Sequence, residues 1–90
     1  MREFAVEEKL QKILEKVQKK DKALYQAFQR KVEEILTCPD VNHYKNLRKP
    51  LQHLKRVHIL GSFVLTFRYL EAEDKIILYD LAHHDTIYAL

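Results

Sequence analysis

The stretch RVHILGSFVLTFRYLEAEDKIILYDLA, Arg56 to Ala82, decides the fold. Val57 and Ile59 alternate with Arg56, His58 and Leu60; Phe63, Leu65, Phe67 and Tyr69 alternate with Val64, Thr66, Arg68 and Leu70. A period of two marks β-strands whose successive side chains face opposite sides. Gly61-Ser62 has the composition of a two-residue II′ hairpin turn. The polar run Glu71 to Asp74 makes a second turn into a third strand, about Lys75 to Ala82. Three strands joined this closely form an antiparallel meander. If Val57 and Ile59 face the core, His58 points the other way.

Upstream the period is 3.6. Between about Ala5 and Lys19, Leu10, Ile13, Leu14 and Val17 fall on one helix face. The opposite face is charged, with Glu8–Lys12 and Glu15–Lys19 spaced as favourable i,i+4 pairs. Asp21 is placed to cap a second helix, in which Leu24, Phe28, Val32, Ile35 and Leu36 continue the pattern to about Thr37. Pro39 ends it. The expected architecture is α+β: an N-terminal αα-hairpin on one face of a small antiparallel meander, in one domain spanning residues 1–90. The second sheet face is then free to carry a site.

Charge says what that site meets. Residues 41–70 contain no Asp or Glu, yet hold Lys45, Arg48, Lys49, Lys55, Arg56 and Arg68 with His43, His53 and His58. Residues 1–56 carry 14 Lys and Arg against 8 Asp and Glu, and residues 57–90 carry 2 against 5. Uncompensated cations in one segment suit phosphate, each releasing a counterion on binding. Lys45, Arg48, Lys49, Lys55 and Arg56 are therefore candidate RNA contacts. A basic loop that only keeps the chain soluble is the plain alternative. A single cysteine excludes an intrachain disulfide and suits a reducing cytoplasm. No apolar run reaches the ~18 residues of a membrane span.

Candidate chemistry narrows by elimination. One glycine cannot build a phosphate loop, and no carboxylate cluster occurs. Cys38 and His43 lack zinc spacing, so neither a metal nor a cofactor is expected. Cys38 at a helix C-terminus is a poor nucleophile, because the helix dipole opposes thiolate formation there. Imidazole chemistry remains. RNA cleavage without a metal needs a base for the 2′-hydroxyl, an acid for the 5′-oxygen and cations for the crowded phosphorus. His58 on the first strand and His84 just past the third could serve over one sheet face. Alternation would send His83 and His84 to opposite sides, so that only one enters the site.

The helical hairpin, N-L-x-K-x-L, R-V-H-I, F-V-L-T-F-R-Y and I-I-L-Y-D-L-A-H-H-D-x-I-Y together resemble the RelE/ParE toxin superfamily, most closely its YafQ-like and YoeB-like branch. The resemblance runs from the hairpin to Tyr88. It implies a toxin of a toxin–antitoxin pair, a ribosome-dependent mRNA endonuclease, with an acidic antitoxin, the ribosome and mRNA as partners. It matches His84 to the general acid and Tyr88 to the terminal aromatic that orients substrate. It matches His58 to the histidine before the glycine turn, Phe63 to the aromatic opening the next strand, and Lys45 to a basic position before Leu47. The family usually opens with a strand, which only Met1 to Phe4 could supply. Val64 stands where RelE itself places an arginine, and Ser62 where some YafQ-like members are acidic. A ParE-like gyrase inhibitor and a non-catalytic RNA- or partner-binding module are the competing readings. His84 and Tyr88 speak against the gyrase inhibitor.

Overall fold

Two periodicities build two layers. The computed structural model describes the backbone of residues 1–88 and the side chains of residues 1–86. The elements are β1 (Glu3–Val6), α1 (Glu8–Lys20), α2 (Lys22–Thr37), β2 (Lys55–Ile59), β3 (Phe63–Leu70), β4 (Lys75–His83) and α3 (His84–Tyr88). Asp21 caps α2 as its position implies, its side chain accepting from the Leu24 amide at 3.1 Å. Leu24, Phe28, Val32, Ile35 and Leu36 of α2 and Leu10 of α1 are buried against Ile59, Leu65, Phe67, Ile76, Leu78 and Leu81 of the sheet. This is the α+β arrangement that the pattern predicts.

The sheet has four strands in the order β1-β4-β3-β2, so the three-stranded meander is an incomplete description. β2, β3 and β4 are antiparallel neighbours, and β1 adds to β4 in parallel. Four residues are too few to display a period of two, and Ala5 and Val6 blend into the helical pattern that follows. The hairpin also differs from expectation. Ile59 pairs with Phe63, leaving a three-residue loop, Leu60 to Ser62, in place of a two-residue turn. Leu60 and Gly61 both take positive φ, 52° and 74°. Glycine does so freely. Leucine there costs roughly 1–2 kcal/mol, and Leu60 is exposed.

Arg2 locks β1 to the rest. Its guanidinium donates to the Cys38 carbonyl at 2.6 Å, at the C-terminal end of α2, and to Asp74 Oδ1 at 2.8 Å. The Tyr69 hydroxyl donates to the same Asp74 oxygen at 2.7 Å. These two donors, Tyr69 first, hold the Asp74 carboxyl below its ordinary pKa. On α2, the Tyr44 hydroxyl donates to Glu34, which is lowered chiefly by that bond and then by Lys31; burial pushes Tyr44 up.

A depressed folded-state carboxylate contributes stability that is complete above its unfolded pKa and is lost as pH falls through the folded value. The Glu34→Gln/Asp74→Asn double variant is therefore expected to show a flatter decline of Tm on acidification below about pH 4, the ordinary carboxylate range. Thermal melts followed by circular dichroism at stepped pH measure this. Parallel acid limbs for the two proteins would refute it.

Candidate nucleic-acid interface

Register decides which side chains share the second sheet face. His58 pairs with Val64, and Val64 with Ala82. Directly opposed residues face the same way, so these three form a row on the side away from the helices. Arg56 pairs with Thr66, and Arg68 with Ile77, on that same side. The sequence expectation for His58 holds: it is exposed while Ile59 is buried in the helix-side core.

The acid-free segment from Val41 to Leu54, which leads from α2 into β2, folds onto this face as a strap. Leu47 and Leu54 bury themselves with Val64, and Leu51 and Ala82 pack beside them in a second, smaller core. The strap is tied along the outer edge of β2. The Arg56 amide donates to the Lys45 carbonyl at 2.9 Å, the Leu47 amide donates to the Leu54 carbonyl at 2.9 Å, and Asn46 bridges to Lys55. Val41 and Tyr44 anchor its start in the main core, where Tyr44 meets Phe67 edge to face at 5.6 Å. Lys45, Arg48 and Lys49 are left exposed on the strap.

Lys55 behaves differently from its neighbours. Its side chain is buried, and its ammonium donates to the Tyr44 carbonyl at 3.3 Å and to Asn46 Oδ1 at 3.1 Å. That is a correction to its assignment as an RNA contact: the ammonium fastens the strap from inside. Charge and position in the sequence could not reveal it, because the partners lie nine and eleven residues upstream.

At the far end of the sheet, β4 passes directly into α3. The His84 amide donates to the Ser62 carbonyl at 2.8 Å, and the ring Nδ1 lies 3.1 Å from the same oxygen. His84 Nε2 lies 3.0 Å from Asp85 Oδ1, so both ring nitrogens face oxygen acceptors. Phe63 is half-buried and meets the His83 ring edge to face at 5.8 Å. His83 and His84 stack at 4.7 Å with 27° between their planes. The alternation expected to separate them ends at His83, the last strand residue, and the helical turn brings the second ring alongside the first.

The structure thus gathers Phe63, His83, His84 and Asp85 at one end. His58, Arg56 and the strap cations lie across β3 from them. His58 and Ala82 are two strand spacings apart, roughly 10 Å, with His84 two residues beyond Ala82. Tyr88 sits in the last turn of α3, and its side chain lies outside the described residues. A cleft of about 280 Å³ also opens between α2 and the β2 end, lined by Ala27, Arg30, Lys31 and Glu34 with His58, Ile59 and Leu60. Sequence reasoning passed over Arg68 and Asp85 as site members. Counting in twos from Val64 places Arg68 on the cationic face, so that signal was present. Asp85 becomes visible only once the helical turn is known.

Two helices on a four-stranded mixed sheet, with a basic strap across its second face, define a small α+β class. The chain belongs to the RelE-type toxin superfamily. It is 48% identical over 88 residues to a Methanocaldococcus jannaschii protein named "Putative toxin RelE4", an alignment covering 98% of this chain and 92% of that one. The isolated Escherichia coli RelE toxin superposes with a TM-score of 0.71 over 100% of both chains at 12% identity. RelE within the intact RelBE toxin–antitoxin complex gives 0.70, covering 92% of this chain and 96% of that one at 12% identity. Escherichia coli YafQ gives 0.64, covering 98% and 99% at 12% identity. No protein-family profile matches the chain. Among the described residues, no helix is long and apolar enough to cross a membrane.

Proposed function

We propose that this chain is the toxin of a type II toxin–antitoxin pair and acts in the cytoplasm as a ribosome-dependent mRNA endoribonuclease. The observation that carries the reading is the His84 ring, held at the sheet end between Ser62 O and Asp85, with the exposed strap cations Lys45, Arg48 and Lys49 on the other side of β3. In this reading His58 takes the proton from the 2′-hydroxyl. The freed 2′-oxygen attacks phosphorus, the bond from phosphorus to the 5′-oxygen breaks, and His84 delivers a proton to that leaving oxygen. The products are a 2′,3′-cyclic phosphate and a free 5′-hydroxyl. Lys45 and Arg56 stabilise charge on the pentacoordinate phosphorus. Phe63 and Tyr88 orient bases, and Arg48, Lys49 and Arg68 hold flanking phosphates.

The antitoxin is an acidic chain that covers the same cationic face. E. coli RelE forms a complex with its antitoxin, and the charge imbalance of the present chain suits an acidic partner. The direct test is primer extension on mRNA under translation with added protein. New 5′ ends that appear with ribosomes and vanish without them are expected. Intact message in both reactions would overturn the nuclease reading.

Phosphate contacts have their own signature in salt. Removing Lys45, Arg48 and Lys49 together should flatten log affinity for single-stranded RNA against log salt by about 0.7 per lost contact. Lys55→Ala should leave that slope unchanged while lowering stability, since its ammonium is turned inward. Filter-binding titrations measure both slopes. A larger effect from Lys55 than from the exposed three would reverse the assignment.

A further inference from the structure

We propose that His83, His84 and Asp85 form a binding site for a borderline divalent cation of the zinc class, and that the bound cation withholds His84 from proton transfer. The binding stands on geometry alone. The withholding rests on the reading of His84 as proton donor given under Proposed function.

One donor atom from each of the three residues lies within 4.8 Å of the others. Zinc–nitrogen bonds of about 2.0 Å put tetrahedral donors roughly 3.3 Å apart. His84 Nε2 and Asp85 Oδ1, at 3.0 Å, are already near that separation. His83 Nδ1 lies 3.6 Å from Asp85 Oδ2 and accepts from the Asp85 amide at 3.3 Å, a hydrogen bond that a cation on this nitrogen would replace.

The surroundings are those of a ligand histidine. In the tautomer whose Nδ1–H donates to the Ser62 carbonyl, 3.1 Å away, the His84 Nε2 lone pair is open to a cation. A backbone carbonyl on the second ring nitrogen is the usual outer-shell partner of metal-bound imidazole, fixing both tautomer and orientation. The Phe63 edge contact restrains the His83 ring on its other side.

Two imidazoles and one carboxylate prefer zinc, cobalt, nickel or copper to magnesium or calcium. Three protein ligands leave a position for water, and the partly exposed side chains of His83 and His84 give the ion a path. The three members are consecutive in sequence and converge only at the strand-to-helix turn.

A cation on Nε2 occupies the atom that would carry the leaving-group proton. Binding sends any proton held there to solvent, and a chelator that removes the cation leaves the nitrogen to take a proton back from solvent, so inhibition is reversible.

The test has two arms. In the first, the full chain competes with a chromogenic indicator for Zn²⁺. One equivalent should bind, with His83→Ala and Asp85→Asn each weakening affinity at least about tenfold, the loss that even an outer-shell partner causes. His53→Ala, far along the strap, should stay within about twofold, below that threshold. Affinity equal to that of the His83→Ala/His84→Ala/Asp85→Asn triple variant would overturn the site.

In the second arm, ribosome-stimulated cleavage is measured in Zn²⁺ and in chelator. Wild type should be inhibited and recover. His83→Ala should cleave normally in chelator and resist zinc by the factor its affinity has lost. Unchanged wild-type cleavage at saturating zinc would overturn the inhibition. No cleavage by wild type even in chelator would overturn the nuclease reading and the withholding with it, while the first arm still decides the metal site.

Discussion

His84→Ala should lower ribosome-stimulated mRNA cleavage by about 10²–10⁴-fold, the usual contribution of a positioned general acid. Primer extension on translated mRNA reads it, with ribosome association followed by co-sedimentation. The loss should fall on kcat, because the proton moves only in the transition state. The fold should survive. His84 is partly exposed, and its backbone amide keeps its bond to Ser62 O whatever side chain is present. His83→Ala is the matched comparison: it removes the stacked neighbour and the Phe63 contact but leaves the Ser62 and Asp85 contacts of His84 in place. Full activity in His84→Ala together with lost activity in His83→Ala would move the acid by one residue. Full activity in both would leave the fold without this chemistry and favour a toxin that acts by binding alone.

Much of the fold was legible because burial is periodic. The strands around His58, Phe67 and Ile76 and the helices around Leu14 and Val32 announce themselves by which positions are apolar. What escaped was too short to have a period, or was decided by contacts distant in sequence. β1 has four residues and is recognised only by its parallel pairing to β4. The Leu60–Ser62 loop hides behind a leucine in a conformation that leucine disfavours. For the site the same division holds. The acid-free stretch pointed to the strap, but which of its cations faces outward depends on the inward bonds of Lys55. His84 was identified by resemblance, whereas the company of Asp85 and Ser62 came from the β4-to-α3 turn.

The largest expected loss of stability follows from Phe67, because this one side chain joins the two halves of the molecule. It is fully buried in the central strand β3, paired with Leu78 on one side and Lys55 on the other. Its ring meets Tyr44 edge to face, and Tyr44 in turn holds Glu34 of α2 and begins the strap. Phe67→Ala removes a large apolar side chain from a site with no freedom to collapse, at a cost of about 3–5 kcal/mol. A chain of this length has roughly 5–13 kcal/mol in total, and each kcal/mol moves Tm by about 4–8 °C. Urea unfolding should show a lower midpoint with m unchanged. Tyr44→Phe tests the other half of the link. It keeps the ring contact and leaves the exposed Glu34 able to reach water, so it should cost only about 1 kcal/mol, the scale of one hydrogen bond. If Phe67→Ala cost less than Tyr44→Phe, the strap would be held by its polar tie to α2 and not by the core. The cationic face would then owe its shape to Glu34, and acid alone should release it.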